Sequence, residues 1–371
     1  MKAARAAPGR PGPVPGAVTI VLPADPAPPQ GLRPRIVPFF LPHAGCPHHC
    51  VFCNQRAITP RAGAEAATDP QTRVIQWLGR PPADPANVQL AFYGGNFLGL
   101  PPARLRSMLD AARRLAAEGW IGGLRFSTRP DTVDSERLAL LAEIPVAAVE
   151  LGVQSMDDGV LAACRRRHTA AHAAEASLRL RDAGHRVGIQ MMIGLPGEGP
   201  RSALATGARI AGLAPDFVRI YPCLVLAGTA LADRYRQGLF RPLSLERAVV
   251  LTRRLWRLFA RRGIPVIRMG LQATTALDDG PDLLAGPYHP AFGHLVHSAL
   301  CLEALERALR RLPAAGRRIQ VTAHPHRIAA VRGQANANLR RLNARFTPAE
   351  IRVSADPGLP LNRMTLQMSD L

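Results

Sequence analysis

Three cysteines lie within eight residues of the chain, Cys46, Cys50 and Cys53, with the spacing C-x3-C-x2-C. Three thiolates on one short loop can each bind one iron of a [4Fe–4S] cluster and leave the fourth iron without a protein ligand. A substrate or cofactor can bind at that open iron, so the spacing indicates a site for chemistry rather than for electron storage alone. These cysteines are the candidate catalytic and metal-binding residues.

Zinc is the alternative metal for this loop. A closed tetrahedral zinc site would take its fourth ligand from one of the neighbouring histidines, His43, His48 or His49. Structural zinc sites usually contain two C-x2-C pairs, and the sequence has no second pair. The other three cysteines are scattered, as is typical of small buried side chains: Cys164, Cys223 and Cys301.

Apolar, β-rich segments alternate with helical segments and must position the cysteine loop. Strands are predicted at 35–41, 88–93, 123–127, 146–151, 187–193 and 216–221, and helices at 71–79, 102–118, 134–143, 157–164, 170–183 and 200–212. A helical crossover between successive strands implies parallel pairing. The pattern predicts an α/β fold, a partial (β/α)6 TIM-like barrel with a small α+β C-terminal extension.

The polar and glycine-rich segments of the predicted barrel fall directly after its strands. They include the cysteine loop, Gly94–Gly95, 127–129, Gln154 and 194–196. Functional sites in such folds gather at the carboxyl ends of the strands, so we expect these segments to converge. Taken singly, a pair of glycines also fits an ordinary tight turn.

The chain divides into three predicted regions. Residues 1–32 are rich in Pro, Ala and Gly and lack an apolar core segment, which predicts a disordered leader rather than a signal peptide. The barrel occupies 33–270 and includes one more predicted strand at 264–269. Residues 271–371 form a small C-terminal domain of unknown role, with helices near 291–312 and 334–345 and a strand at 318–322.

The formal net charge is +20, and Lys2 is the only lysine among 47 basic residues. This surplus favours a polyanionic partner such as RNA. The alternative for the arginine-dense helices, at 253–262 and 307–318, is a solvated basic face. No run of 18 apolar residues occurs, so we predict no membrane span. Clustered cysteines without a secretion signal favour a cytoplasmic metalloprotein.

The chain resembles the radical S-adenosylmethionine (SAM) superfamily in its cysteine triad and in the aromatic Phe52. Four further segments resemble the radical SAM domain of the Elongator catalytic subunit and its bacterial relatives: 126–131, 149–155, 166–169 and 192–197. That subfamily is distantly related to oxygen-independent coproporphyrinogen oxidases. The resemblance implies a [4Fe–4S] cluster and SAM as cofactors, and an enzyme that generates a 5′-deoxyadenosyl radical. We expect no acetyltransferase domain after the barrel.

The resemblance also implies contacts to SAM. Phe52 stands where an aromatic side chain lies near the cofactor. Gly94, Gly95 and Asn96 match the motif that receives the SAM amino group, although the family usually has an acidic or hydroxyl residue in place of Asn96. The remaining matches are Gln154 and Arg166 near the SAM carboxylate, Ser127 and Arg129 near the ribose or the radical cavity, and Gly194 and Pro196 on the adenine side.

The implied substrate is RNA, with tRNA modification as the favoured activity, and the implied electron donor is a protein such as flavodoxin or ferredoxin. Two alternatives remain open from the sequence. The enzyme could act on a small metabolite or tetrapyrrole, or the chain could be a non-catalytic accessory protein that binds an iron–sulfur cluster and SAM.

Overall fold

The computed structural model describes residues 18–23, 34–58, 69–278, 280–312, 317–346 and 350–370. The described residues form two compact units. The larger unit lies within Pro26–Phe292, and the smaller unit contains the described residues before Asp25 together with those from Gly293 onward. Within these described ranges, no helix combines the length and the apolar character needed to cross a bilayer.

The secondary structure is numbered here in chain order. The strands are β1 (Val18–Val21), β2 (Arg35–Phe40), β3 (Val88–Tyr93), β4 (Gly123–Thr128), β5 (Val146–Gln154), β6 (Val187–Ile193), β7 (Phe217–Pro222), β8 (Val225–Leu226), β9 (Val266–Met269), β10 (Leu283–Ala285), β11 (Arg317–Ala323), β12 (Glu350–Ala355) and β13 (Arg363–Asp370). The helices are α1 (Gln55–Ile58), α2 (Pro70–Leu78), α3 (Pro102–Ala117), α4 (Ser135–Ala139), α5 (Asp158–Ala163), α6 (Ala170–Asp182), α7 (Pro200–Gly212), α8 (Ala230–Arg236), α9 (Leu245–Ala260), α10 (Thr275–Asp278), α11 (Phe292–Leu309), α12 (Pro325–Arg332) and α13 (Ala337–Arg345).

The larger unit is built on a seven-stranded parallel sheet in the order β2-β3-β4-β5-β6-β7-β9. The predicted partial α/β barrel is thereby confirmed as a half-barrel. Its central strands, β3 to β7, are buried along most of their length, as in parallel sheets covered by helices, whereas the edge strands β2 and β9 are partly exposed. Phe97, which follows β3, stacks on Phe92 at 4.7 Å and meets Phe126 at 4.8 Å between ring centroids, joining β3 and β4 in the core.

Several helices begin where the sequence provides a capping side chain. Asp69 accepts hydrogen bonds from the first turn of α2, Thr169 caps α6, and Ser244 caps α9. Most predicted helices of the barrel agree with the observed bounds to within two residues. The exception is α4, which ends at Ala139 rather than at residue 143. Residues 140–143 form turns, and Pro145 biases the preceding residue toward extended backbone just before β5.

The smaller unit contains a four-stranded sheet in the order β1-β13-β11-β12, in which only β11 and β12 pair in parallel. One face of this sheet packs on helices through a core that includes Ile319, Val321, Leu366, Cys301 and Leu305. The predicted helices and strand of the C-terminal region are present, and α12, β12 and β13 are additions that the sequence analysis missed.

Two boundaries differ from the sequence-based expectation. Residues 18–21 were expected in a disordered leader, but they form β1 and pair with β13. The run Val-Thr-Ile-Val is β-branched throughout, and Ile20 is buried. The strand propensity of these four residues therefore outweighs the Pro-, Ala- and Gly-rich composition of the surrounding segment. Residues 271–292 were expected in the C-terminal domain, but β10 pairs with β8 and groups them with the larger unit. The remaining predicted leader residues lie outside the described part of the chain, except for 22 and 23.

Candidate cofactor site

The cysteine loop leaves β2 and folds through successive tight turns. The Leu41 N–H donates to the Tyr93 carbonyl at 2.7 Å, which fixes the start of the loop to the end of β3. Within the loop, the Cys46 N–H donates to the His43 carbonyl and the Cys53 N–H to the Cys50 carbonyl. These turns place all three cysteines at the carboxyl edge of the sheet.

Glycines allow this loop to lie directly against the turn after β3. A Cβ on Gly45 would lie 2.1 Å from the Asn96 carbonyl oxygen, and a Cβ on Gly95 would lie 2.3 Å from the Ala44 carbonyl oxygen. Both glycines also have positive φ, 72° and 69°. The Asn96 N–H donates to the Ala44 carbonyl across the same contact at 2.8 Å. The two segments therefore form one backbone-to-backbone interface in which side chains have no room.

Gln55 adds a side-chain tie between the same two segments. Its Oε1 atom accepts from the Gly95 N–H at 2.8 Å and from the His43 N–H. A Cβ on Gly94 would find only ordinary contacts, so the positive φ of 75° is the reason for glycine there. In the predicted Gly94–Gly95 pair, Gly94 thus serves the backbone conformation, whereas Gly95 serves the close approach of the cysteine loop.

The thiols of the loop lie in a buried environment beside two arginines. Arg166 Nη1 is 3.3 Å from Cys50 Sγ, and the residues Arg129 and Arg166 are only 2% and 7% exposed. Burial, together with the neighbouring thiols of Cys50 and Cys46, raises the pKa of Cys53 to about 12. Burial also raises the pKa of Cys46. Both thiols must therefore release a proton when a metal binds.

The donor set fits a thiolate-bound cluster. All three cysteines are free thiols, and the adjacent guanidiniums can offset the negative charge that bound thiolates introduce. In a [4Fe–4S] cluster each cysteine binds a different iron, so the thiols need not converge on one point. Among the described residues, no three His, Cys, Asp or Glu side chains are grouped so as to hold a single metal ion.

The Asn96 side chain is completely buried and fully engaged inside the protein. Its Oδ1 atom accepts from Thr128 Oγ1 at 2.7 Å, from the Arg129 N–H at 2.9 Å and from Thr132 Oγ1 at 2.9 Å. Its Nδ2 group donates to the Gly45 carbonyl at 2.9 Å. The sequence analysis placed Asn96 with the residues that receive SAM. The structure directs its amide toward the cysteine loop and the end of β4, and the contact with SAM stays a prediction.

Arg129 and Arg166 form a linked pair. The Arg129 guanidinium makes a two-pronged contact with Asp131, at 2.9 and 2.8 Å, and also donates to the Arg166 carbonyl. Arg166 donates to the Gly152 carbonyl, and its Nε has no hydrogen-bond partner among the described residues. Between them, His48 Nε2 lies 3.2 Å from the Arg166 carbonyl oxygen. This arrangement connects the ends of β4 and β5 to the cysteine loop.

Gln154 ends β5 with a φ of 66°, which is uncommon for a residue with a side chain. The register between β5 and β6 shifts just before it. Strained backbone of this kind is concentrated at functional sites because the surrounding structure must maintain it. The strain supports the predicted importance of Gln154 without identifying its ligand.

The turn after β6 is held by a carboxylate that the sequence analysis missed. Glu198 Oε2 accepts from the Gly194 N–H at 2.6 Å and from the Leu195 N–H at 3.4 Å. Burial raises the pKa of Glu198 to about 7, although the two N–H groups act in the opposite direction. Gly194 has a φ of 76°, and Pro196 is buried in the same turn.

The structure brings together most of the predicted residues, and two of them make contacts of a different kind. Ser127 accepts from Gln190 Nε2 at 3.1 Å, inside the half-barrel rather than at the cysteine loop. Phe52 packs with the apolar cluster around Val51 and Leu195, which agrees with a shielding function. The residues missed from the sequence are those that support others, namely Gly45, Gln55, Thr132 and Glu198. Only Gly45, adjacent to the first cysteine, gave a usable signal.

Family models and curated relatives match the part of the chain that contains the cysteine loop. The family model for the radical SAM superfamily matches residues 40–207, and the model for the Radical_SAM C-terminal domain matches residues 215–301. The chain is 30% identical over 249 residues to a tRNA uridine(34) acetyltransferase of Methanocaldococcus infernus, covering 56% of this chain and 46% of that protein. It is 27% identical over 233 residues to the protein of that name from Dehalococcoides mccartyi, covering 53% of this chain and 50% of that one.

Comparison with solved structures supports the fold. The structure of the archaeal Methanocaldococcus infernus Elp3 with an N-terminal deletion aligns with a TM-score of 0.57 and 22% identity, covering 74% of this chain and 64% of that one. The chain spans about half of the length of the two curated relatives described above.

The two family models together match more than half of the chain, and the cysteine loop lies inside the first of them. The predicted resemblance, the enzyme class and the pair of cofactors are thereby confirmed at the level of the family. The chain belongs to the radical SAM superfamily of enzymes, whose members bind a [4Fe–4S] cluster and SAM.

Proposed function

We propose that this protein cleaves SAM reductively to generate a 5′-deoxyadenosyl radical and modifies RNA, with tRNA as the substrate. A cluster bound by Cys46, Cys50 and Cys53 would supply the electron for that cleavage. The observation that carries the proposal is the placement of three free thiols and the Arg166 guanidinium at the carboxyl edge of the half-barrel. A flavodoxin or ferredoxin as donor, and a cytoplasmic location, remain predictions.

Residues around the cysteine loop would bind or position SAM. The backbone at Gly94 and Gly95 is half-buried and would bind the SAM amino group. Arg166, whose Nε is unpartnered in the described structure, would bind the SAM carboxylate together with the strained Gln154. Asn96 and Arg129 would act as positioning residues, since their side chains contact protein groups.

The RNA part of the proposal rests on charge and on the relatives. From residue 247 to residue 277 the chain contains seven arginines and no Asp or Glu. Arg247, Arg254 and Arg261 are exposed on or next to α9 and lie along one side of the helix, seven residues apart. Such a row can contact a phosphate backbone and release its counterions. Two curated relatives are named as tRNA-modifying enzymes.

The deciding experiment measures 5′-deoxyadenosine formed from SAM by anaerobically reconstituted, reduced protein, with and without bulk tRNA. We expect cleavage in the wild type, loss of cleavage in Cys50→Ala, and stimulation by tRNA. Cleavage that tRNA leaves unchanged, but that a small metabolite or tetrapyrrole stimulates, would favour the alternative substrate class. A verified four-iron cluster that binds SAM without cleaving it would indicate an accessory protein.

A second experiment tests the arginine row. We expect the tRNA affinity of the wild type to fall steeply with salt, and the Arg254→Gln/Arg261→Gln variant to have a shallower salt dependence. The matched control is Arg104→Gln/Arg106→Gln on α3, which removes the same charge from another exposed helix. Equal effects of the two double variants would show that net charge, rather than this row, governs binding.

A further inference from the structure

A network of polar side chains crosses the concave face of the half-barrel below the cysteine loop. We define this lumen network as Tyr93, Arg125, Glu150, Gln190, Arg219 and Tyr221, which lie on β3, β4, β5, β6 and β7. Its centre is Glu150, which is completely buried. The Glu150 carboxylate accepts from Arg125 Nη1 at 3.1 Å, from Arg219 Nη2 at 2.7 Å and from Gln190 Nε2 at 2.9 Å.

The network spans the half-barrel because the sheet is strongly curved. In a flat sheet β3 and β7 would be about 19 Å apart, four strand spacings of about 4.8 Å. In the structure, Arg219 Nη2 on β7 is 3.2 Å from Tyr93 Oη on β3. The same guanidinium lies 5.4 Å from the centre of the Tyr93 ring. The side chains therefore meet across the interior rather than along the sheet.

Stability alone does not account for this network. Replacement of a buried ion pair by apolar residues of similar size is often neutral or stabilising, so a fold does not need one in its core. The network also carries unbalanced charge. Two guanidiniums, Arg125 and Arg219, face the single carboxylate of Glu150, which leaves one positive charge in excess.

Several hydrogen-bond donors of the network have no acceptor in the described structure. Arg219 donates to Tyr221 Oη at 3.3 Å as well as to Tyr93 Oη, so both phenolic oxygens already act as acceptors and both O–H groups remain to donate. Arg219 Nε is buried and unpartnered. Burial and the Glu150 carboxylate raise the pKa of Tyr93, so its hydroxyl keeps its proton.

These donors lie next to the candidate cofactor residues. Tyr93 directly precedes Gly94, and Ser127, which Gln190 contacts, directly precedes Thr128. The lumen network is therefore joined through β3 and β4 to the strand ends that carry the candidate cofactor residues. An acceptor with negative charge matches both the free donors and the excess positive charge.

We infer that the lumen network is a binding site for the carboxylate group of a small substrate, held by the hydroxyls of Tyr93 and Tyr221 under the field of Arg219. This inference deepens the proposed function, on which it rests, by naming the chemical class of a molecule that reaches the radical site. It adds a small acid to the reaction beside the RNA.

The test measures binding of 13C-labelled acetate by NMR line broadening, with reconstituted protein, saturating SAM and no reductant. We expect saturable binding that is at least tenfold tighter than that of acetamide, a neutral molecule of the same size. The Tyr93→Phe/Tyr221→Phe variant keeps both rings and should weaken acetate binding at least tenfold. The control Tyr235→Phe, on the exposed side of α8, should bind acetate as the wild type does.

Three results would overturn the inference: no saturable acetate binding, equal binding of acetamide, or unchanged binding by the double phenylalanine variant. The comparison of acetate with acetamide uses wild-type protein alone, so it stands even if the variant folds poorly. Because the measurement needs no electron transfer, a failure of SAM cleavage would contradict the proposed function without affecting this result.

Discussion

The cysteine loop and the lumen network are neighbouring regions of one half-barrel, yet they are built in opposite ways. The cysteine loop is positioned by backbone contacts, in which Gly45 and Gly95 let two turns touch without side chains between them. The lumen network is positioned by side chains alone, which come from the middle or the end of five neighbouring strands. The cysteine loop depends on the close approach of two backbone segments, and the lumen network depends on the balance of its buried charges.

This difference determines how each region should fail when it is altered. Steric changes should damage the cysteine loop, because backbone atoms there have no space to move. Changes of charge should damage the lumen network, because its groups are buried in a medium of low polarity where an unpaired charge is costly. Substitutions can therefore separate the two regions experimentally.

The largest expected effect follows from Glu150→Ala. This substitution leaves the Arg125 and Arg219 guanidiniums buried without their carboxylate, and breaking a buried pair in this way costs about 3–5 kcal/mol. Urea unfolding measures this loss. The control is Glu175→Gln, which breaks an exposed pair with Arg179 and should cost about 0.5 kcal/mol. A similar loss for both variants would contradict the assigned charge dependence.

Gly45→Ala should be the most damaging small change in the cysteine loop. The new Cβ would lie 2.1 Å from a backbone oxygen at a φ of 72°, and we expect a loss of about 3–4 kcal/mol and a lower iron content after reconstitution. Gly79→Ala is matched to it, since Gly79 has a φ of 74° and nothing within 4 Å. That control should cost about 1 kcal/mol. Normal iron content in Gly45→Ala would show that the contact is dispensable.

Asn96→Asp should destabilise the protein by about 2 kcal/mol, because a carboxylate oxygen would replace the amide group that donates to the Gly45 carbonyl. This result would contrast with the pattern implied by the family resemblance, in which an acidic or hydroxyl residue usually stands at the matching position. Asn87→Asp provides the control, since the side-chain amide of Asn87 makes no hydrogen bond among the described residues. Thermal unfolding of both variants gives the comparison, and a more stable Asn96→Asp would refute the positioning role.

The smallest effect concerns pH and Glu198. The pKa of its carboxyl group rises from an ordinary value of 4.5 to about 7 in the folded protein. Between these values the folded state holds a proton that the unfolded state releases, so this group's contribution to stability falls as pH rises from 4.5 to 7. The Glu198→Gln variant has no carboxyl group to titrate at this position. Its melting temperature relative to that of the wild type should therefore rise between pH 5 and pH 8. A constant difference across that range would contradict the raised pKa.

The local parts of this protein were readable from the sequence. The cysteine spacing, the alternation of strands and helices, and the position of Gly94–Gly95 after β3 all depend on residues close together in the chain. They predicted the half-barrel and the edge at which its site lies. The run 264–269 was also recognised as a strand, although its pairing with β7 as the seventh strand was not predicted.

The parts that the sequence analysis missed depend on contacts between distant segments. β1 pairs with β13 across almost the whole chain, and Asn96 reaches both Gly45 and Arg129. The sequence by itself determined which residues could bind a cluster and on which edge of the sheet they would lie. Only the tertiary structure decided that Asn96 supports the loop and that Glu150, Arg125 and Arg219 meet, because curvature of the sheet brings together side chains that no local pattern connects.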